Sequence, residues 1–133
     1  MRDLSVFPDG SFDLVFNPCS TCFVEALEPV WREVARVLRP GGALLAGFTN
    51  PWYYLFDEAA FDRGELRVTN KLPLRELRGN MIELSHTLEE QLGGQLRAGL
   101  VLTDLFEDSW SDWRALHGVA NAFIATRAVK PKE

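Results

Sequence analysis

The first 48 residues contain a strand, a helix, a glycine-rich turn and a second strand, and this order limits the fold more than any other feature of the sequence. The apolar run Phe12–Phe16 follows a Pro-Asp-Gly turn, and Ala43–Phe48 is a second apolar run. Between them, apolar residues recur every three or four positions over residues 28–39, which predicts an amphipathic helix that ends at Pro40-Gly41-Gly42. Apolar strands joined by a helix are typical of a parallel sheet that is covered on both faces. The sequence therefore predicts an α/β fold with a right-handed crossover.

Three further elements follow this unit. Thr87 and Glu90 have the spacing of a capping box, which predicts a helix over about residues 88–96. Gly93 and Gly94 weaken this helix by about 1 kcal/mol each relative to alanine, so they indicate close packing or a bend. Two apolar runs predict the last two strands: Leu100–Phe106 and Ala122–Val129.

The remaining segments are less regular. Residues 49–86 contain a strongly aromatic run near their start and Pro73, which argues against a long helix there. Trp110 and Trp113 fall between the last two predicted strands. We expect these two side chains to pack as a cap over the strands.

The amino-acid composition says more about the cellular compartment and the possible binding partners than about the fold. The chain of 133 residues carries 14 Lys and Arg against 19 Asp and Glu, a net charge of −5. This balance argues against binding duplex DNA, because neutralising phosphates needs an excess of basic residues. No apolar run reaches the roughly 20 residues that a bilayer crossing needs, and the amino terminus shows no secretory signal. With two cysteines and no disulfide framework, we expect a single cytoplasmic domain over residues 1–133.

Two motifs carry a resemblance to a known family. Residues Phe7–Phe16 read FPDGSFDLVF, and residues Val30–Gly42 read VWREVARVLRPGG. At this spacing they resemble the fourth strand and the helix before the fifth strand of class I S-adenosylmethionine-dependent methyltransferases, where the family reads E-x-x-R-V-L-x-P-G-G. Ser85–Gly99 resembles the family's last helix, and the terminal strand resembles its antiparallel seventh strand. The resemblance implies a partial Rossmann-like α/β fold, with a mixed four-stranded sheet in the family order 4-5-7-6 and the antiparallel last strand between its neighbours.

The resemblance covers only part of the family's fold. The family's glycine-rich cofactor turn, E-x-G-x-G-x-G, is absent from this sequence, and so is the acidic residue that binds the ribose hydroxyls. A βα unit takes about 30 residues, so seven strands need about 200. We therefore expect the chain to be the C-terminal portion of a methyltransferase, without the N-terminal cofactor-binding half and inactive alone. The alternative is a naturally minimal variant.

The resemblance also implies positions for the cofactor and the substrate. Aligned with the family's G-D-x-x-x-L motif, Met1 follows the Asp that lies near the adenine of S-adenosylmethionine. Asn17, Pro18 and Cys19 follow the first strand at its carboxyl end, where open α/β sheets bind ligands and where the family places the methionine moiety. The aromatic segment after the second strand is predicted to line a substrate pocket, with core packing as the alternative. Its residues are Asn50, Pro51, Trp52 and Tyr53.

Three other features have both a chemical and a structural interpretation. Cys19 and Cys22 form a C-x-x-C, but only the distant His86 and His117 could complete a zinc site, so two buried thiols and no metal are predicted. Asn17-Pro18 resembles the start of the N-P-P-Y motif of amino-group methyltransferases, although the next two residues depart from it. His86 could act as a general base, but a structural role beside the helix cap is favoured.

The function expected is methyl transfer from S-adenosylmethionine to an unidentified acceptor, with the catalytic residues unknown. The alternatives are a non-catalytic half-domain that serves as a dimerisation or interaction module, and a flavodoxin-type nucleotide-binding protein. The latter does not explain the R-V-L-x-P-G-G run. The first strand would lie at the edge of the sheet with Asp13 as its only charge, so we expect a homodimer through residues 12–16 that Val15→Lys weakens.

Overall fold

The computed structural model describes residues 3–78, 81–109 and 120–132. The strands in this part of the chain are β1 (Phe12–Pro18), β2 (Leu38–Thr49), β3 (Arg75–Arg78), β4 (Met81–Leu84), β5 (Val101–Asp108) and β6 (Phe123–Val129). The helices are α1 (Glu28–Val37), α2 (Glu58–Asp62) and α3 (Gly94–Arg97). Short 3-10 turns lie at Thr21–Phe23 and Pro51–Leu55, and a π-helical turn at Glu89–Gly93 leads into α3.

Four of these strands form one mixed sheet in the order β1-β2-β6-β5. β1 and β2 are parallel, and β6 lies between β2 and β5, antiparallel to both. In the numbering of the family this is the order 4-5-7-6, so the predicted topology is confirmed. β3 and β4 form a separate antiparallel pair, which the sequence analysis did not predict.

The boundary between α1 and β2 differs from the prediction. α1 ends at Val37, two residues early, because the backbone of Leu38 is already extended (φ −70°, ψ 134°). β2 therefore begins at Leu38 and includes Pro40-Gly41-Gly42, which bulges where the pairing with β1 changes register. A Cβ at Gly42 would lie 2.9 Å from the carbonyl oxygen of Arg39, so glycine is required in this bulge.

The apolar stripe of α1 forms the centre of the core. Val30, Trp31 and Val34 are completely buried. They belong to one cluster with Leu44 of β2 and Ala128 of β6, so α1 covers one face of the sheet.

The helix after β4 begins with the predicted capping box. The backbone N–H of Thr87 donates to Oε2 of Glu90 (2.8 Å), and the N–H of Glu90 donates to Oγ1 of Thr87 (3.1 Å). The following turn is π-helical, and a Cβ at Gly94 would lie only 2.4 Å from Cδ1 of Trp31. The glycines therefore coincide with both close packing and irregular helix geometry.

The two faces of the four-stranded sheet have different environments. Along β2 and β6 the even-numbered residues from Gly42 to Phe48 and from Ile124 to Ala128 are buried on the side of α1, the covered face. The odd-numbered residues point to the opposite side, which we call the bare face. On it Leu14, Phe16 and Phe106 are exposed by 51%, 69% and 63%.

Trp110 and Trp113, expected to form a cap, lie outside the described residues. Over the ranges that the structure describes, no helix has the length and apolar character needed to cross a bilayer.

Candidate functional site

The two candidate segments leave the sheet at the same edge. β1 and β2 are parallel neighbours, and Pro18 at the end of β1 pairs with Gly47 of β2. The pairing continues past the strand, because the backbone N–H of Cys19 donates to the carbonyl oxygen of Gly47 (2.7 Å). Asn50 follows β2 directly. The topology therefore places the predicted cofactor turn and the predicted substrate segment at the carboxyl edge where ligands bind in open α/β sheets.

The turn after β1 has an unusual backbone. Cys19 has a φ of +44°, in the left-handed region that residues other than glycine rarely adopt. Asn17 is 1% exposed, and its Oδ1 accepts a hydrogen bond from the hydroxyl of Ser20. Nδ2 of Asn17 is buried without a partner among the described residues. The Asn17 side chain thus braces the turn from the covered side, and only its main chain is available to a ligand on the bare face.

A groove on the bare face begins at this turn. Its volume is about 380 Å³, and it crosses all four strands from β1 to β5. Gly47 and Ala125 are small residues in its lining, and the exposed rings of Phe16 and Phe106 lie on β1 and β5. Pro18 and Cys19 also line the groove. Two of the three predicted cofactor residues of the turn therefore face this space.

Asp104 and Arg127 are the charged residues among those described in the groove lining. They are register partners on β5 and β6. The guanidinium of Arg127 donates to Oγ1 of Thr103 (2.6 Å), so it is held along β5. The carboxyl edge at Cys19 is apolar by comparison.

A buried polar network supports the turn from the covered face. Nε2 of His86 lies 2.8 Å from the carbonyl oxygen of Val24 and 3.1 Å from that of Thr21, so this nitrogen carries the proton and donates to both. Nε2 of Gln91 donates to Oγ1 of Thr21 (2.9 Å). These contacts join segments more than 60 residues apart, and they tie the turn after β1 to the helix after β4.

The network continues beneath the sheet. Oε1 of Gln95, a completely buried residue, accepts from the hydroxyl of Thr126 on β6 (3.2 Å), and its Nε2 donates to the carbonyl oxygen of Gln91 (3.1 Å). Sequence reasoning missed these residues. The sequence does contain a signal that could have revealed them: two glutamines, four residues apart, lie on the inward side of an amphipathic helix.

His86 is 6% exposed and has Nε2 engaged by two carbonyl groups. Its Nδ1 lies 3.7 Å from Oε2 of Glu90, the carboxylate of the capping box. The ring is enclosed on the covered face, whereas the groove lies on the bare face. This arrangement supports the structural interpretation of His86 over general base catalysis.

The two cysteines of the C-x-x-C are free thiols, but Cys19 is exposed and Cys22 is half-buried, so the prediction of two buried thiols is wrong: the turn after β1 lies at the surface of the sheet edge. Burial raises the pKa of the Cys19 thiol, and burial with the nearby Glu83 carboxylate raises the pKa of the Cys22 thiol to about 11. Sγ of Cys22 lies 3.4 Å from the carbonyl oxygen of Cys19. Both groups are therefore protonated at neutral pH and act as packing and weak donor groups.

The aromatic segment after β2 packs mainly against its own neighbours. The rings of Trp52 and Phe56 meet edge to face at 5.9 Å, and those of Tyr53 and Phe61 at 5.1 Å. Asn50 is 9% exposed, and its backbone N–H donates to the carbonyl oxygen of Ala122 (2.7 Å). Pro51 is buried, while Trp52 and Tyr53 are half-buried. None of the four predicted substrate residues is among the described residues that line the groove. Met1 lies outside the described residues.

Comparison with known proteins gives a consistent result. The family described as "Methyltransferase domain" matches residues 1–46. A Bacillus subtilis protein described as the uncharacterized methyltransferase YbaJ is 38% identical over 143 residues, covering 98% of this chain and 55% of that protein. The chain thus spans about half the length of the curated relative that it matches.

Solved structures share the fold at low identity. A Methanosarcina mazei S-adenosylmethionine-dependent methyltransferase has a TM-score of 0.71 at 17% identity, covering 99% of this chain and 65% of that one. A Mesorhizobium loti S-adenosylmethionine-dependent methyltransferase has a TM-score of 0.69 at 17% identity, covering 92% of this chain and 63% of that one. By its motifs, its sheet order and these similarities, the chain belongs to the class I S-adenosylmethionine-dependent methyltransferases.

Proposed function

We propose that the protein transfers a methyl group from S-adenosylmethionine to an acceptor, and that these 133 residues supply one wall of the cofactor site. The observation that carries the proposal is the 38% identity over 98% of the chain to a Bacillus subtilis methyltransferase. The turn after β1 lies where the family resemblance puts the methionine moiety, which supports a role for Asn17, Pro18 and Cys19.

The residues present fit one side of the cofactor. The groove is apolar next to Pro18 and Cys19, and Cys19 has a left-handed backbone conformation. The sequence holds neither a glycine-rich turn of the E-x-G-x-G-x-G type nor an acidic residue at the end of a second parallel strand. The site is therefore incomplete within these residues, and the chain alone is not expected to hold the cofactor.

The contribution of this chain to the reaction is positioning. S-adenosylmethionine supplies an electrophilic methyl group, and alignment of that group with a nucleophile accounts for much of the rate in methyl transfer. His86 and Gln91 hold the turn after β1 from below, so they fix the wall against which the cofactor aligns. The half-buried rings of Trp52 and Tyr53 flank the same sheet edge, where we place the acceptor. We also place the protein in the cytoplasm, since both cysteines are unpaired.

Isothermal titration with S-adenosylmethionine tests the proposal in two steps. Residues 1–133 alone should give no binding heat at micromolar concentration, and tight binding would show that the site is complete without a glycine-rich turn. The protein from the longest reading frame that contains these codons should bind the cofactor if that frame supplies an E-x-G-x-G-x-G turn. Absence of binding by a protein with that turn would refute methyl transfer.

A matched pair of variants in that longer protein tests the turn. Cys19→Gly keeps the left-handed backbone, whereas Cys19→Val strains it because a β-branched residue disfavours positive φ. We expect Cys19→Gly to retain cofactor affinity and Cys19→Val to lose it by tenfold or more. Equal affinities would remove the turn from the site.

A further inference from the structure

Two buried amide side chains hold the turn after β1, and each of them has one end without a partner. Asn17 is 1% exposed and Gln91 is 3% exposed. Oδ1 of Asn17 accepts from the hydroxyl of Ser20, and Nε2 of Gln91 donates to Oγ1 of Thr21 (2.9 Å). The other ends, Nδ2 of Asn17 and Oε1 of Gln91, are buried with no hydrogen-bond partner among the described residues.

Rotating either amide by 180° does not supply the missing partner. Such a rotation exchanges the oxygen and the nitrogen of the amide. The hydroxyl groups of Ser20 and Thr21 can donate and accept, so each amide keeps its bond to the turn in either orientation. The second end stays buried and unpaired in both cases. Leaving such a group unpaired is costly, and native proteins nearly always pair it with protein or with ordered water.

We propose that a water molecule is buried beneath the turn after β1 and bridges the unpaired amide ends of Asn17 and Gln91. The two amides hold Ser20 and Thr21, which are consecutive residues, so both unpaired ends belong to one small region of the fold. A buried water usually makes about two to four hydrogen bonds, and it can accept from the N–H of one amide while donating to the oxygen of the other.

The same two groups disfavour a charged ligand at this position. An amide N–H repels a cation, and an amide oxygen repels an anion. A buried charge would also need a partner of opposite charge, whereas a neutral water needs only the two amide ends. The chemistry of the site therefore selects a small neutral molecule that both donates and accepts.

The local helix geometry brings Gln91 to this site. Gln91 lies within the π-helical turn Glu89–Gly93, a geometry that is rare and frequent at functional sites. Its side chain contacts Thr21, 70 positions away in the sequence. The bridging water would connect this helix to Asn17, and through Asn17 to the backbone that we assign to the cofactor. The site itself needs no cofactor, so it stands or falls separately from methyl transfer.

A crystal structure of the protein that contains these residues, at a resolution that shows ordered waters, tests the site directly. We expect one water at full occupancy, about 2.7–3.2 Å from the amide group of Asn17 and from that of Gln91. A dry site, a water that contacts only one of the two amides, or amide ends that are bonded to protein groups would each overturn the proposal.

A double-mutant cycle gives an independent measurement in solution. Asn17→Leu and Gln91→Met each remove an amide and leave an apolar side chain of similar size. Because either change already deprives the shared water of a partner, the double variant should lower the urea midpoint by less than the sum of the two single shifts. Gln95→Met is the matched control. Gln95 is a completely buried glutamine of the same helix, but both of its amide ends bond to protein, so its shift should add to that of Asn17→Leu.

A second cycle separates the water from the turn as the source of coupling. Thr21→Val removes the hydroxyl that Gln91 holds but leaves the unpaired ends of Asn17 and Gln91 in place. Its shift should therefore add to that of Asn17→Leu. Additive shifts for Asn17 and Gln91, or equal coupling in the Asn17 and Thr21 cycle, would count against a bridging water. The crystal structure of the unaltered protein decides the matter if a variant does not fold.

Discussion

At the scale of single residues, the consecutive glycines of the helix after β4 have unequal roles. Gly94 lies against the indole of Trp31, whose Nε1 donates to the carbonyl oxygen of Glu90 (3.0 Å). Gly93 faces the guanidinium end of Arg97, an exposed and flexible side chain. Sequence alone assigns the same helix penalty to both glycines. The packing distinguishes them.

We expect Gly94→Ala to lower the free energy of unfolding by about 1–3 kcal/mol, because the new methyl group would displace a completely buried tryptophan. Gly93→Ala should be neutral or stabilising by up to about 1 kcal/mol, since Arg97 can move away and alanine favours the helix. Urea unfolding of the two variants measures the difference. Equal destabilisation would show that the indole adapts to the methyl group.

At the scale of elements, the Glu and Arg of the E-x-x-R-V-L motif fasten the amino-terminal segment to α1. Arg36 donates to Glu33 (2.9 Å) and to the carbonyl oxygens of Leu4 and Phe7 (3.0 Å each). The backbone N–H of Leu4 donates to Oε2 of Glu33 (3.0 Å). The motif that identifies the family thus has a structural role here, away from the groove.

This contact should depend on pH. The hydrogen bond from Arg36, and then that from the Leu4 backbone, lower the pKa of Glu33 below its usual value of 4.5. A carboxyl group whose pKa is lower when folded contributes stability above its unfolded pKa, and that stability is lost as the pH falls through the folded pKa. We therefore expect the Leu4 amide to lose hydrogen-exchange protection below about pH 4.5, after correction for the intrinsic exchange rate.

Two glutamate variants of α1 test this explanation, one at the partly buried contact and one at an exposed position. Glu33→Gln should abolish the pH dependence of Leu4 protection. Glu28→Gln is the control and should leave the pH dependence unchanged. Glu28 is exposed, and its carboxylate forms a weak surface pair with Arg32 at 3.7 Å. Protection that persists in acid would mean that Leu4 is held by other contacts.

Sequence reasoning succeeded where the signal is local and failed where it is not. β1, α1, the capping box and the sheet order followed from periodicity, caps and the family motifs. The bulged start of β2 was missed because Pro40-Gly41-Gly42 reads as a helix stop, and only pairing with β1 makes it part of a strand. The His86 and Gln91 contacts to Thr21 were missed because they join positions 65 and 70 residues apart. Periodicity does not report such pairs.

At the scale of the whole molecule, the sheet is one-sided in the described part of the chain. Helices cover one face, and the other presents exposed rings around a groove. Sheets with parallel pairs usually occur with both faces covered. The apolar character of β1 and β2 on both sides therefore predicts more burial than the described residues provide. The groove lies on the uncovered side of this asymmetric sheet.

Substitutions at two neighbouring leucines of β2 can compare how tightly the two faces of the sheet are packed. Leu44 faces α1, and Leu45 faces the groove. Leu44 is completely buried, so Leu44→Ala should lower the free energy of unfolding by about 2–5 kcal/mol through lost burial and a residual cavity. Leu45 is half-buried and opens onto solvent that can fill the space, so we expect Leu45→Ala to cost well under half as much. Urea titration of both variants provides the comparison. A cost for Leu45→Ala equal to that for Leu44→Ala would mean that the bare face is packed against protein in solution.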